Sequence, residues 1–256
     1  GIFGRVYHAV MQAVSMGDAA MSRDIDFNDR KQVEQLGRGQ ETVTRDYISK
    51  WLKNRKGIRD KVFAQMMKEI HTLEILGRNI VAGDVMARYV IKTLERDLGL
   101  MDRYGTDSFR ILGLEKYYRM DFNGFTLDGY IDRLDSFVHD EIRVVDYKTG
   151  KVEDNDEKIN DENAEKVADA IFADDNSKRP KIALQLYLYD KFLRQDNVVA
   201  GRRNVVNCIY SVSRLFKEEP RNFAVSERFH SLVDERLSRL FEQMTDVSVP
   251  FRMASD

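Results

Sequence analysis

Apolar residues recur along this chain with a helical period over roughly its first hundred positions, and then with an alternating one. Phe3, Val6, Val10, Met11 and Val14 predict a helix over residues 3–21, which Gly17 and Asp18 weaken or end. Residues 23–40 are polar and read as loop around Gly37 and Gly39. Residues 42–54 predict a helix with Thr42 as its cap. Residues 58–98 mix Met, Leu, Ile, Glu and Lys at spacings of three and four, and Gly77 and Gly83 are the points where this helical stretch divides. Residues 100–106 read as a link.

Residues 109–122 and 125–137 then read as two strands around Asn123-Gly124, the pair that a two-residue hairpin turn prefers. Residues 142–147 add a third strand, so an antiparallel meander is expected. Residues 151–163 are acidic and polar and read as a solvated loop, and 164–172 as a short helix. After a second loop at 174–179, Pro180 suits the first turn of a helix over 182–193. Residues 203–215 read as a strand and 226–244 as a closing amphipathic helix. The expected class is α/β: a small mixed sheet flanked by helices, with an added helical region at the N-terminal side.

Composition narrows the function classes. The 256 residues are enough for a sizeable core, and 43% are hydrophobic. The formal net charge is −2, so a basic surface for a nucleic acid would have to be local. A metal-dependent nuclease, which needs acidic ligands, suits this balance better than a passive nucleic-acid binder. Cys208 is the single cysteine, which excludes an intrachain disulfide and a multi-cysteine zinc site. No run of eighteen apolar residues occurs and no signal peptide is visible, so no membrane partner and a cytoplasmic location are expected. No glycine-rich dinucleotide fingerprint follows a strand. Lys92-Thr93 and Lys148-Thr149 lack the preceding glycine of a phosphate loop. The chain starts at Gly1 without Met and stops soon after Val249-Pro250-Phe251, as an excised piece of a longer protein would.

The chemistry-bearing residues cluster in the strands. Asp146 and Lys148 are two apart and share a strand face. Asp132 lies on the neighbouring strand, where cross-strand pairing brings its carboxylate close to Asp146. Adjacent acids repel unless a proton or cation lies between them. Magnesium, bound through carboxylate oxygens, would resolve that repulsion and suit phosphodiester hydrolysis. A structural salt-bridge network at a strand end accounts for the same residues, and spacing alone leaves both readings open.

Four motifs in order add a resemblance. Gly4-Arg5-Val6-Tyr7-His8, the run GYIDRLD at 129–135, DYKTGK at 146–151, and Gln185 with Tyr189 resemble the signature of the PD-(D/E)XK nuclease superfamily in its RecB-like branch, as in the nuclease domains of AddB- and RecB-type helicase-nucleases. The resemblance implies a restriction-endonuclease-like core over about 107–246, with residues 20–105 as a helical insertion or subdomain of one nuclease domain spanning 1–256. It implies metal ligation by His8, Asp132, Asp146 and the main-chain carbonyl of Tyr147, with Asp132, Asp146 and Lys148 as the catalytic set. Gln185 and Tyr189 would bind substrate or support the centre. Glu115, Arg133 and Thr149 are further candidates for substrate contact or support, and Asp128 and Asp135 read as solvent-facing strand acids. Lys53, Arg55, Lys56, Arg59, Arg202 and Arg203 are basic residues that either touch phosphate or form solvated faces.

The implied cofactor is Mg2+, with Mn2+ as the alternative. Relatives carry four cysteines for an iron–sulfur cluster just outside the limits of this chain, so a cluster is expected only in a longer parent. The implied activity is DNA hydrolysis, by an exonuclease of repair or recombination, on single-stranded or end-containing DNA, with a helicase domain or subunit as partner. The competing expectations are a stand-alone CRISPR-associated type of nuclease, or an inactive nuclease fold serving as a DNA-binding or scaffold module.

Overall fold

The computed structural model of the chain describes residues 1–37, 39–153, 157–173, 179–196, 204–248 and 250. Residues 174–178 of the loop predicted at 174–179, the arginines 202 and 203, and residues 249 and 251 of the tail lie outside them.

Helix α1 (Ile2–Met16) buries the expected stripe through Val6, Val10, Met11 and Val14. At Gly17 the chain takes φ of 109° and turns into the short α2 (Asp18–Ser22). The region read as loop also holds α3 (Arg30–Glu34), capped by Asp29, which accepts from the amides of Lys31 and Gln32. It buries no residue, so it gives no periodic signal.

The helix expected over 42–54 begins later. Thr42–Thr44 is a strand, β1, paired antiparallel with a later strand, and Thr44 is the cap of α4 (Arg45–Lys53). Its hydroxyl accepts from the amide of Tyr47 at 3.2 Å. The β-branched Thr-Val-Thr run suits a sheet edge better than a helix start. Next come α5 (Arg55–Glu69) and α6 (Arg78–Tyr104). Of the two glycines expected to divide this region, Gly77 does so as the α6 N-cap, whereas Gly83 lies inside α6. The helix also runs through the predicted link, because Leu100 and Met101 are buried, and it ends at the left-handed Gly105.

The sheet follows. Strands β2 (Ser108–Phe122) and β3 (Phe125–Ser136) form a long hairpin. Its turn residues Asn123 and Gly124 have φ of 53° and 79°, both positive as the tight turn requires. Strand β4 (Glu141–Lys148) completes the meander antiparallel to β3. Helices α7 (Ala164–Phe172) and α8 (Lys181–Gln195) then carry the chain to β5 (Asn204–Ser211), which pairs with β4 in parallel. β6 (Asn222–Phe223) and α9 (Glu227–Thr245), capped by Ser226, finish the fold. The order β1-β2-β3-β4-β5-β6 makes one mixed, six-stranded sheet.

Helices cover both faces. The N-terminal helices pack with Val145, Tyr147, Cys208 and Tyr210 in one core cluster. Helices α7, α8 and α9 pack with Ile131, Leu134, Ile142 and Val144 in the other. The expected α/β class, with a small flanked sheet and extra N-terminal helices, is what the chain forms. Two local readings need correcting. The segment expected to be a solvated loop buries Val152 and Ile159 in the second core, and their carbonyls accept from Arg214 and from the Ser226 amide. The strand expected over 203–215 ends at Ser211, after which the chain turns and Val212 donates its amide to the Lys148 carbonyl.

Candidate metal centre and cleft

A two-residue turn fixes hairpin register, so residues equidistant from Asn123-Gly124 face each other. The pairs Leu114↔Arg133 and Lys116↔Ile131 bracket Glu115 and Asp132, which therefore oppose one another across β2 and β3. On the other side, β3 pairs with β4 as far as Arg133↔Val145, and one further step sets Asp132 against Asp146. Three acids thus stand in one row on three neighbouring strands. Glu115 has φ of 44°, a left-handed conformation that costs energy for a residue with a Cβ and is held here by the surrounding fold.

Helix α1 brings His8 over this row. His8 Nδ1 lies 3.4 Å from Asp132 Oδ1 and 3.9 Å from Glu115 Oε1, and its Nε2 is 2.8 Å from the Tyr147 carbonyl oxygen. The approach depends on Gly4, one helical turn earlier, where a Cβ would meet Thr149 Oγ1 at 3.1 Å. One ligand atom from each of His8, Glu115 and Asp132 lies within 4.8 Å of the others. Asp146 is not in that set, because its oxygens face α8. Asp146 Oδ1 accepts from Gln185 Nε2 at 3.1 Å and from the Tyr189 hydroxyl at 3.0 Å, while Oδ2 is 2.6 Å from Lys148 Nζ. Lys148 also donates to Gln185 Oε1 at 2.7 Å. Gln185 and Tyr189, one turn apart on α8, are hydrogen-bonded to each other as well.

The electrostatics follow from crowding. Burial first, then the Asp132 charge, push Glu115 up to about 7. Burial and then Asp132 likewise raise Asp146, against the pull of Lys148. Burial opposes a charged His8, but the Asp132 carboxylate, followed by Glu115 and the Tyr147 carbonyl, outweighs it and raises the ring to about 9. The row therefore carries more negative charge than the protein itself neutralises, and recruits a proton where it can. An oxygen-rich donor set with one imidazole and surplus negative charge fits a divalent cation such as Mg2+ or Mn2+.

The row opens into a cleft of about 810 Å3, lined by Gly4, Arg5, His8, Glu115, Tyr147, Lys148 and Thr149 on one side and by Phe27–Glu34 residues on the other. Gln12, Val33, Glu34 and Leu114 also line a second cleft of about 530 Å3, so the groove continues past α3.

Other residues singled out in the sequence fall elsewhere. Arg133 does not reach the cleft. Its side chain is 1% exposed and is paired with Asp97 at 3.0 Å and Asp135 at 2.8 Å, so it can act on the site only as buried support, not as a phosphate contact. Asp135, read as a solvent-facing acid, is fully buried between Arg133 and Arg143. The cause is that helices cover both faces of the sheet at this end of β3, where every residue from 131 to 136 is buried, so the polar–apolar alternation of an exposed face is absent. Arg55, Lys56 and Arg59 pair with Glu95, Asp60 and Asp84, and none of them, nor Lys53, lines the cleft. Asp128 is on the surface, where it accepts from the Tyr117 hydroxyl. Sequence reasoning passed over Arg5, Arg30, Tyr117 and Tyr130 as cleft residues. The tyrosine pair was available from hairpin register alone, since 117 and 130 are equidistant from the turn.

Among the described residues, no helix is long and apolar enough to cross a membrane. No curated protein and no solved structure matches the chain. The family model of the PD-(D/E)XK nuclease superfamily matches residues 2–254. With nearly the whole sequence inside that match, and with acids, histidine and lysine gathered at one cleft, the chain belongs to the PD-(D/E)XK nuclease superfamily.

Proposed function

We propose that the chain hydrolyses DNA phosphodiester bonds with a divalent cation, Mg2+ or Mn2+, as the nuclease part of a RecB-like repair or recombination enzyme. The observation that carries this reading is the row Glu115, Asp132 and Asp146 under His8, with Lys148 beside it at the cleft wall. His8, Asp132 and the Tyr147 carbonyl, with Glu115, would hold the cation, and Asp146 would join them through an oxygen that it now shares with Lys148 and α8. When bound, the cation supplies Lewis-acid polarisation of the phosphate and lowers the pKa of a water.

The protein's own groups do the rest. Lys148 donates to Gln185 and is ion-paired with Asp146, and from the cleft wall its ammonium can also meet a phosphoryl oxygen or the attacking water. Gln185 and Tyr189 hold Asp146 from the α8 side, fixing its carboxylate against rotation. Thr149, at the cleft wall, is positioned for a phosphate oxygen. Arg133 supports the centre from beneath through its pairing with Asp97. The helical part over about 20–105, serving as a subdomain of the nuclease unit, contributes residues within 27–34 to the cleft wall and would offer a docking surface for a helicase domain or subunit.

The test is cleavage of labelled single-stranded and duplex DNA with Mg2+ or Mn2+, comparing the parent with Lys148→Ala and Asp146→Ala. Loss of one preorganised electrostatic group of this kind costs about 100- to 1000-fold in rate, and both variants are expected to fall at least that far while keeping their fold. Retained cleavage in both variants rejects the mechanism.

A further inference from the structure

Tyr117 and Tyr130 face each other directly across β2 and β3, two residues further from the turn-distal acids Glu115 and Asp132 and therefore about 7 Å along the strands from them. Their rings are 5.0 Å apart and inclined at 44°. The Arg30 guanidinium, on α3, lies 4.9 Å from the centre of the Tyr130 ring. All of these side chains line the same cleft as His8, Glu115 and Lys148. The tyrosines are 45% and 37% exposed, so large ring surface is left to water in the wall of a polar groove. Arg30 is exposed and has no carboxylate at ion-pair distance among the described residues. The Tyr117 hydroxyl donates to Asp128 Oδ2 at 2.8 Å, which fixes the ring by its edge and leaves its face available.

We propose that Tyr117, Tyr130 and Arg30 form a stacking site for an unpaired base, which makes single-stranded DNA the strand that this cleft accepts. The inference rests on the hydrolytic reading of the same cleft and adds what selects its substrate. An aromatic face or a guanidinium plane stacks on any base, but a base inside a duplex has both faces covered by its neighbours. A ring set one short step along the strand from the acids holds the base next to the phosphate under attack, while Arg30 adds a positive charge that can stack or meet the backbone. Val33 and Glu34 of α3 line both clefts, so the groove that holds Arg30 continues past this helix, as a threaded strand requires.

The experiment measures binding by fluorescence anisotropy with the full chain in excess chelator, so that hydrolysis is off. The probes are a labelled oligothymidylate, a duplex of the same length, and the same single strand carrying abasic sites. The single strand is expected to bind more tightly than the duplex. Tyr117→Ala and Tyr130→Ala are expected to weaken single-strand binding by about tenfold or more each, and Tyr130→Phe, which keeps the ring face, to restore most of what Tyr130→Ala loses. Abasic substitution should weaken the parent, a control that needs no altered protein, and should have little further effect on the alanine variants. Alanine variants that bind like the parent, a parent that prefers duplex, or an abasic strand bound as well as the intact one would each overturn the inference. Those results leave metal-dependent cleavage standing. Conversely, a parent that shows the stacking effect yet never cleaves with metal sinks only the hydrolytic reading.

Discussion

Tyr147 donates its main-chain amide to Asp132 Oδ2 at 2.8 Å, so the acid on β3 is held by the strand that carries Asp146 and Lys148. The same residue turns its carbonyl toward His8. One peptide segment therefore fixes the placement of an acid and an imidazole at once.

Asp132→Asn separates charge from shape at this point. The amide oxygen can still accept from Tyr147, so the strand geometry is kept, but the negative charge shared with His8 and Glu115 is lost. Mg2+ or Mn2+ affinity, read by calorimetry, is expected to fall at least tenfold with little change in thermal stability. Chelation of the parent should remove cleavage and restoration of metal should return it. Unchanged metal affinity in the variant would show that Asp132 is not a ligand.

Beneath the site, Arg133 is buried against Asp97, which also accepts from the Tyr210 hydroxyl at 2.6 Å. Removing one partner of a buried pair leaves the other charge uncompensated, at a cost of about 3–5 kcal/mol. Asp97→Ala is expected to lose stability on that scale in urea denaturation, although Asp97 is far from the cleft in sequence and lines no part of it. A loss under about 1 kcal/mol would show that Asp135 alone satisfies Arg133.

Gly83 sits where α5 and α6 touch, and a Cβ there would lie 2.5 Å from Phe63 Cε2 and 3.1 Å from Met66 Sδ. Alanine gains roughly 1 kcal/mol over glycine in a helix interior, whereas overpacking costs about 1–3 kcal/mol. Gly83→Ala is therefore expected to destabilise the protein despite the better propensity. A more stable variant in chemical denaturation would mean that the Phe63 ring yields freely.

Lys61 is 5% exposed and donates to the carbonyls of Ala20 at 2.7 Å and Arg23 at 2.8 Å. Burial, with Lys68 acting in the same direction, lowers it to about 8 from an ordinary value of 10.5. The unfolded chain then binds more protons than the folded one between these values, so this residue's contribution to stability rises with pH across that window. The stability of the parent relative to Lys61→Met should increase from pH 8 to pH 10. A difference that stays flat over that range would place the lysine in contact with water.

The hairpin was legible because its turn chemistry is local: Asn123-Gly124 takes positive φ at both positions and thereby sets the pairs of β2 and β3 from the turn back to Gly113↔Leu134. The helical periods of α1, α8 and α9 were legible because each buries one stripe. What failed has a common cause. Thr42–Thr44 became a strand because an edge of β2 was available to it, which lies some sixty residues away. Asp135 became buried because helices from distant parts of the chain cover both faces of β3 at this end, and α3 gave no periodic signal because it buries nothing.

The sequence alone determined which residues carry charge and chemistry, the turn that registers β2 with β3, and the strand spacing that aligns Asp146 with Lys148. Those features depend on bonded neighbours and on short-range backbone preferences. Only the tertiary structure decided that His8 meets Glu115 and Asp132, that Arg133 faces a buried acid rather than substrate, and that α3 lays Arg30 beside Tyr130. Each of those contacts joins segments distant in the chain, and the packing that closes them is a property of the whole core, not of any window of residues.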